Sequence, residues 1–310
     1  MFTKLIELIS SHNKIILLRH ISPDFDAIGS QMSIFQFIND NFKNKTIKLG
    51  TTLPEEYKCI GKVDNLVEQD FEKALVIITD TANTARIDIE DVNWLKKATV
   101  FKIDHHVNVD KYADYEIVDA SYPATCELLT DLFSKSNLIF SDKTAFYLFH
   151  GLVTDTDRFM FRNVTNRTFK MAEILSKKIE DLNSIYKNIY QINTNEIRLK
   201  GYILSNFKIV KNEIAYIYLN KEVLKEYEIN NPDKVALWVN MLGEIKNIKL
   251  WLFFVENDSH IRTEFRSQSI NVRLIAEKFN GGGHVSASGA KLFDSKSIDL
   301  VIEECIKASI

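Results

Sequence analysis

Residues 14–30 read KIILLRHISPDFDAIGS, and this stretch decides the predicted fold. It begins with Lys14–Arg19, a short run rich in Ile and Leu whose hydrophobicity is nearly continuous. Such a run is typical of a parallel strand that is covered on both faces. Apolar residues then recur at helical spacing, which indicates one face of a helix: Ile28, Phe35, Ile38 and Phe42. The stretch therefore predicts a strand, a polar loop and a helix.

Two further runs of the same kind follow in the first half of the chain. Residues 74–79 read ALVIIT and residues 99–103 read TVFKI. Amphipathic stretches lie between the apolar runs. Alternating strands and helices favour an open α/β sheet, so we predict an N-terminal α/β domain with a parallel sheet.

The second half of the chain changes character. Residues 180–205 are polar and rich in Asn, with apolar residues at helical spacing, which indicates connecting helices. The tail then contains predicted strands at 213–219, 248–256 and 260–265, a turn at Asn257-Asp258 and a short helix. We therefore expect three parts: a catalytic domain over residues 1–185, a helical linker over 186–208, and a smaller α/β domain over 209–310.

Composition limits the classes of function. The chain has 310 residues and a formal net charge of −3, which argues against broad non-specific binding of long nucleic acid. Its three cysteines have no metal-binding spacing and indicate reduced thiols. The N-terminus is too polar for a secretion signal, and no apolar run approaches the roughly 20 residues that span a bilayer. We expect a cytoplasmic protein that does not contact the membrane.

Acidic and histidine residues directly follow each predicted strand of the first domain. In an open α/β sheet, the loops beyond the carboxyl ends of parallel strands converge on one crevice. Three strands would thus deliver seven side chains to the same edge: His20, Asp24, Asp26, Asp80, Asp104, His105 and His106.

Carboxylates and imidazoles without thiolates suit Mn²⁺, Mg²⁺ or Fe²⁺ better than structural zinc. The number of groups exceeds what one ion needs, so a two-metal site is the natural interpretation. An ion pair activates a water and neutralises phosphate oxygens, and hydrolysis of a phosphate ester needs both effects.

Each residue also has a simpler interpretation. An Asp after a strand, such as Asp26 or Asp80, is often only a helix cap or a turn residue. The repetition of the same chemistry in three separate loops argues against that view. Residues 146–153 form an apolar segment that could be strand or helix. Asp155, which follows it, is equally a candidate ligand and a surface residue.

A second group of residues lies in the tail. Gly281-Gly282-Gly283 precedes His284 and follows Arg262 and Arg266. Consecutive glycines let the backbone approach an anion and present N–H groups to it. An arginine and a histidine would add charged hydrogen bonds to a phosphate. A flexible turn between a helix and a strand would explain the glycines equally well.

Together these segments resemble the DHH phosphoesterase family. Four segments are similar to its four motifs, in order: HISPDFDAIGS, VIITDTA, IDHH and GLVTDTDRF. The stretch FRSQSINVRLIAEKFNGGGHVSASGA is similar to the DHH-associated C-terminal domain. The matching motifs run from residue 15 to residue 290, which is nearly the whole chain.

The resemblance implies a role for each matching residue. Two Mn²⁺ ions, which Mg²⁺ or Co²⁺ could replace, would be held by His20, Asp24, Asp26, Asp80, His105 and Asp155. Asp80 would bridge the ions, and the attacking group would be a hydroxide between them. Asp104 and His106 would orient these ligands or touch the scissile phosphate. The substrate would be bound from the other domain by Arg266, Gly282, Gly283, His284 and Ser288.

The tail and the length indicate the subtype that combines nanoRNase and 3′-phosphoadenosine-5′-phosphate (PAP) phosphatase activity. Substrates would be PAP and short single-stranded RNA or DNA oligonucleotides. The same site would also serve a phosphodiesterase for linear or cyclic signalling dinucleotides such as pApA and c-di-AMP. A nucleotide-binding regulator without turnover is a third alternative. Relatives of this type are also expected to form homodimers. One departure is Asp157, where relatives commonly have Gly.

Overall fold

A computed structural model of the chain describes residues 1–50 and 52–309. The chain divides into two compact units, Met1–Gln191 and Ile192–Ile310. Hydrophobic clusters form a separate core in each unit. Within the described ranges, every helix is too short or too polar to cross a membrane.

The first unit is built on the predicted parallel sheet. Across the described part of this unit, five strands run in the order β2-β1-β3-β4-β5, and each neighbouring pair is parallel. The strands are β1 (Lys14–Leu18), β2 (Thr46–Leu49), β3 (Leu75–Thr79), β4 (Thr99–Asp104) and β5 (Tyr115–Val118). The edge strands β2 and β5 are short and partly exposed, and the sequence pattern did not predict them.

Helices accompany this sheet. They are α1 (Phe2–Ser11), α2 (Phe25–Asn41), α3 (Thr125–Ser134), α4 (Asp142–Asp155), α5 (Asn166–Ser176) and α6 (Leu182–Tyr190). Alternate residues of the central strands enter two different hydrophobic clusters, so the sheet is covered on both faces. Ile15 and Ile77 belong to one cluster, whereas Ile16 and Ile78 belong to the other.

The apolar segment 146–153, which could have been strand or helix, lies in helix α4. Ser141 caps this helix by accepting a hydrogen bond from the Thr144 N–H. Helix α4 packs closely on α2, and Gly29 permits the approach. A Cβ at Gly29 would lie 2.5 Å from the Tyr147 carbonyl oxygen, which no side chain tolerates. The close pairing of α2 and α4 brings the start of one helix near the end of the other.

The second unit contains a mixed sheet. Its helices are α7 (Thr194–Asn206), α8 (Lys221–Glu226), α9 (Pro232–Ala236), α10 (Val272–Glu277) and α11 (Ser297–Ser309). Its strands are β6 (Lys208–Val210), β7 (Ile214–Leu219), β8 (Leu250–Glu256), β9 (Ile261–Ser267), β10 (Gly282–Gly283) and β11 (Ala287–Leu292). The strand order is β10-β11-β9-β8-β7-β6, with β7 and β8 parallel and the other pairs antiparallel.

The turn between β8 and β9 is where the sequence predicted it. The Asn257 N–H donates to the His260 carbonyl, and the Asn257 side chain accepts from the His260 N–H. The two faces of the sheet enter separate hydrophobic clusters, one containing Phe265 and Leu292 and the other Trp251 and Phe253. The C-terminal unit is therefore an α/β domain with a core of its own, as predicted.

Candidate active site

Side chains from the carboxyl ends of three parallel strands meet at one edge of the first unit. His20 follows β1, Asp80 follows β3, and Asp104 ends β4 with His105 directly after it. Helix α2 begins at the same edge, and helix α4 ends there at Asp155. The predicted convergence of these loops is thus present in the structure.

Asp80 lies at the centre of this cluster. Its Oδ1 is 3.4 Å from His105 Nε2, and its Oδ2 is 3.4 Å from His20 Nε2. His106 Nδ1 is 3.5 Å from Oδ1. Asp80 is buried and has a φ of 50°, a left-handed backbone conformation that is uncommon for a residue with a side chain. One carboxylate therefore presents its two oxygens to two different histidines.

The neighbours of Asp80 form groups that could hold metal ions. One group is His20, Asp24 and Asp80, and another is Asp26, His105 and Asp155. In each group the ligand atoms lie within 4.8 Å of one another. His105 and His106 form a third group with Asp80. The donors are carboxylate oxygens and imidazole nitrogens, which suit Mn²⁺ and related divalent ions.

Two carboxyl groups of the cluster, those of Asp26 and Asp155, have raised pKa values. Burial, and secondly the Asp80 carboxylate, raise the pKa of Asp26 to about 7. Burial, followed by the carboxylates of Asp26 and Asp24, raises the pKa of Asp155 well above its usual range. These groups would gain from a nearby cation, because a positive charge favours the ionised carboxylate.

The surroundings of His105 and His20 also favour a positive charge. Burial acts against protonation of His105, yet its hydrogen bond to Asp80 and the surrounding carboxylates raise the pKa of His105 well above its usual range. Burial also opposes protonation of His20, but the hydrogen bond to Asp80 together with the charges of Asp24 and Asp80 raises the pKa of His20. Although burial pushes the pKa of Asp80 up, bonds from His105 and His20 hold it well below its usual range. The same carboxylates would favour a divalent cation bound at the two Nε2 atoms.

Backbone carbonyls orient both histidines. His20 Nδ1 lies 2.9 Å from the Ile21 carbonyl oxygen, and His105 Nδ1 lies 3.2 Å from the Tyr122 carbonyl oxygen. When His105 Nδ1 carries the proton and donates to the Tyr122 carbonyl, its Nε2 turns a lone pair towards the carboxylates. This arrangement is the usual one for histidines that bind metals.

Asp104 faces a different set of groups. Its Oδ1 accepts from the His106 backbone N–H at 3.1 Å and lies 2.8 Å from His106 Nδ1. Its Oδ2 is 3.4 Å from Lys102 Nζ. Burial works against ionisation of Asp104, but the bond from His106 lowers the pKa of this carboxyl. Asp104 therefore holds the His106 ring in place and is not a member of the candidate metal groups.

Residues to which the motifs assign no role also support the cluster. The Thr125 and Cys126 N–H groups, at the start of α3, donate to the Asp26 carboxylate at 2.7 and 2.9 Å. Arg86 Nη2 lies 3.1 Å from His20 Nδ1. Gly151 of α4 leaves room for Asp26, since a Cβ there would lie 2.5 Å from Asp26 Oδ1. Sequence patterns missed these residues because each is an ordinary cap, loop or helix residue until the fold brings it to the site.

The loop after Asp155 has an unusual backbone. Asp157, Arg158 and Phe159 have φ values of 44°, 60° and 69°. Such values favour glycine, the residue that the family resemblance leads us to expect at position 157. Arg158 Nη2 lies 3.1 Å from Asp157 Oδ1. The Asp157 carboxylate is therefore paired with the neighbouring arginine.

The predicted substrate-binding residues lie on adjacent strands of the second unit. Arg266 of β9 is paired with Ala287 of β11, and Gly283 of β10 is paired with Ser288. Gly283 has a φ of 139°, and a Cβ there would lie 2.6 Å from the Ala287 carbonyl oxygen, so only glycine fits. Ser288 Oγ donates to the carbonyl of His284 at 2.8 Å. The strand pairing thus brings the five residues onto neighbouring strands, but Ser288 is paired with Phe265 and so lies on the opposite face of the sheet from the Arg266 side chain.

Sequence reasoning missed one acidic partner in this group. Glu264, which is buried, lies between the two arginines of β9. Its Oε2 is 3.0 Å from Arg266 Nη1, and its Oε1 is 2.8 Å from Arg262 Nη2. The alternation of side chains along a strand places residues 262, 264 and 266 on the same face of the sheet. Glu264 therefore orients the Arg266 guanidinium.

Comparison with known proteins identifies the family. Residues 14–152 match the N-terminal domain of the DHH family, and residues 213–308 match the DHHA1 domain. The chain is 34% identical to the "Bifunctional oligoribonuclease and PAP phosphatase NrnA" of Bacillus subtilis, over 98% of this chain and 97% of that protein. A protein of the same name from Mycoplasma genitalium is 33% identical, over 98% and 96% of the two chains. The chain belongs to the DHH family.

A solved structure shows the same fold. The crystal structure of an exopolyphosphatase-related protein from Bacteroides fragilis superposes with a TM-score of 0.89 at 24% sequence identity. The superposition covers 99% of this chain and 95% of that chain.

Proposed function

We propose that this protein is a metal-dependent phosphoesterase that hydrolyses short oligoribonucleotides to mononucleotides and removes the 3′-phosphate of PAP. The observation that carries the proposal is the geometry of Asp80, whose two oxygens face two histidines in two candidate metal groups. The names of the relatives that match nearly the whole chain support the substrates.

Two Mn²⁺ ions would occupy the site, with Mg²⁺ or Co²⁺ as substitutes. His20, Asp24 and Asp80 would hold one ion, and Asp26, His105 and Asp155 would hold the other, with Asp80 shared. When bound, such an ion pair lowers the pKa of a water and neutralises phosphate oxygens. The raised pKa values of the Asp26 and Asp155 carboxyls support a site for positive charge.

The protein's own residues would orient the substrate. Asp104 fixes the His106 ring through Nδ1, and His106 would contact the scissile phosphate. Arg266, held by Glu264, and the N–H groups around Gly282 and Gly283 would bind a remote phosphate of the nucleotide. Hydrolysis joins a water oxygen to phosphorus and breaks the ester bond to the ribose oxygen.

The proposal is tested with purified protein and two substrates. A 5′-labelled RNA trimer should release mononucleotides in the presence of Mn²⁺, and PAP should release phosphate. EDTA should abolish both activities, and added Mn²⁺ should restore them. Inactivity on both substrates by protein that binds Mn²⁺ would contradict the proposal. Hydrolysis of pApA alone would then favour the signalling-dinucleotide alternative.

Two expectations remain predictions. Cys59, Cys126 and Cys305 form no disulfide, and the cytoplasmic location stays a prediction from the sequence. A homodimer is expected from the family type, and sedimentation of the purified protein would test it.

A further inference from the structure

Thr125 contacts one of the proposed metal ligands through its backbone. It is the first residue of α3 and is fully buried. Its N–H donates to Asp26 Oδ2 at 2.7 Å, and the next N–H along the helix, from Cys126, donates to Asp26 Oδ1 at 2.9 Å. Free N–H groups at a helix N-terminus favour a negative charge at this position. The start of α3 therefore holds both oxygens of Asp26.

The side chain of Thr125 contacts a second proposed ligand. Its Oγ1 donates to Asp80 Oδ1 at 3.1 Å. Asp80 Oδ1 is also the oxygen that faces His105 Nε2 at 3.4 Å. Thr125 is thus bonded to Asp80, the proposed shared ligand, and to Asp26, a ligand of one proposed ion only.

These contacts lead to an inference that rests on the proposed function. We propose that Thr125 is a positioning residue for the metal site. Its hydroxyl fixes the orientation of the Asp80 carboxylate relative to Asp26, and this orientation lets both ions bind at once. The backbone bond to Asp26 does not depend on the side chain. Loss of the hydroxyl should therefore affect the sharing of Asp80 and leave Asp26 in place.

Position 125 allows a clean substitution series. Thr125→Val keeps the shape of the side chain and removes the hydroxyl, whereas Thr125→Ser keeps the hydroxyl. A matched control is available on the same helix. Thr130 is also fully buried, but its Oγ1 donates to the Cys126 carbonyl at 2.7 Å and to neither carboxylate. Thr130→Val thus removes a buried hydroxyl of α3 without touching the site.

The main readout is binding of Mn²⁺ alone, measured by calorimetric titration and by electron paramagnetic resonance. Wild type should bind two ions and show the spectrum of a coupled Mn²⁺ pair. Thr125→Val should bind one of the ions about 10- to 100-fold more weakly, the usual effect of losing a bond to a metal ligand. The coupled-pair spectrum should give way to that of an isolated ion. Thr125→Ser and Thr130→Val should bind like wild type.

Activity is the second readout. The kcat of Thr125→Val for the RNA trimer should fall and recover in part at high Mn²⁺ concentration, and Thr125→Ser should restore it. If Thr125→Val does not fold, as judged by circular dichroism, Thr125→Ala replaces it as the variant without a hydroxyl. Its comparison with Thr125→Ser then decides the question.

The outcomes separate the two proposals. If a folded variant without the hydroxyl binds two ions like wild type, the positioning role is wrong and the proposed function stands. If Thr130→Val loses one ion as Thr125→Val does, the effect is one of helix stability and the role is again wrong. If wild type binds no Mn²⁺ and hydrolyses neither substrate, the proposed function itself fails.

Discussion

Asp80 combines a buried carboxylate, a left-handed backbone and two histidine neighbours. In a folded protein such a residue costs free energy, because the charge is desolvated and the backbone is strained. The hydrogen bonds from His20 and His105 offset part of that cost and keep the carboxyl ionised. A buried charge on a strained backbone is expected at a functional site.

Replacement of Asp80 tests its place at the centre of the site. Asp80→Ala should lower kcat for the RNA trimer by several orders of magnitude, because it removes the ligand shared by the two proposed ions. Asp142→Ala, at an exposed position of the same unit, serves as the control and should keep full activity. Steady-state kinetics in Mn²⁺ measure both. A rate for Asp80→Ala within a few-fold of wild type would exclude a shared ligand at position 80.

Asp157 stands where the family resemblance leads us to expect glycine. With a φ of 44°, a Cβ at this position is unfavourable, by roughly 1 kcal/mol relative to glycine. The exposed pair with Arg158 contributes less than about 1 kcal/mol. Asp157→Gly should therefore be as stable as wild type, and Asp157→Ala should be less stable than Asp157→Gly by about 1 kcal/mol. Urea unfolding measures the difference, and equal stability of the two variants would contradict the strain.

At the scale of elements, helix α4 links the core to the site. It ends at Asp155 and places Gly151 against Asp26. The residue directly before Gly151 is His150, which is buried between aromatic rings, with ring centroids 5.6 Å from Phe25 and 4.6 Å from Phe146. His150 Nδ1 lies 2.8 Å from the Phe146 carbonyl oxygen. A buried, neutral histidine thus lies inside the helix that carries a proposed ligand.

Burial lowers the pKa of His150 from 6.5 to about 4. The unfolded chain therefore binds a proton near pH 6.5 that the folded chain does not bind until about pH 4. Folding stability should be highest above pH 6.5 and should decrease as the pH falls to 4, by up to about 3 kcal/mol from this group. His150→Gln should show that much less loss between pH 7 and pH 4 in urea unfolding. Parallel pH profiles for the two proteins would contradict the assignment.

The sequence predicted those strands that are buried on both faces of the sheet. The runs that became β1, β3 and β4 are continuous in hydrophobicity because each has a core on both faces. The edge strands β2 and β5 are half-exposed and carry no such signal. Residues 146–153 were ambiguous because a fully buried helix and a buried strand are equally apolar.

For the whole molecule, the order of the motifs predicted the family and the two α/β parts. The sequence could not reveal the roles of Thr125 and Glu264, because their contacts depend on how the chain packs. Thr125 is 45 residues from Asp80, and the contact exists only after α3 has packed against the sheet edge. Glu264 lies two residues from Arg266, but only the burial of that strand face turns it into a fixed partner.

The proposed phosphate-binding role of the second unit can be tested by substitution. Arg266→Ala and His284→Ala should raise KM for both substrates and lower kcat less, because these residues would bind a part of the substrate that does not react. Arg273→Ala removes an exposed arginine of α10 that pairs with Glu277, and it should leave KM unchanged. Initial-rate kinetics on the trimer and on PAP decide the matter. An unchanged KM in both site variants would exclude the phosphate-binding role.

Gly151 has a consequence for how this protein can change. A Cβ at Gly151 would overlap both the Asp26 carboxylate and the Cys126 thiol. The glycine thus lies against a core residue and a proposed ligand at once. Any added carbon there must displace helix α4, the Cys126 thiol or the Asp26 carboxylate. Replacement of a buried helical glycine by alanine, which other α/β domains can accept, is therefore excluded at position 151. A substitution at Gly151 would therefore disturb the packing of the core and the position of a proposed ligand at the same time.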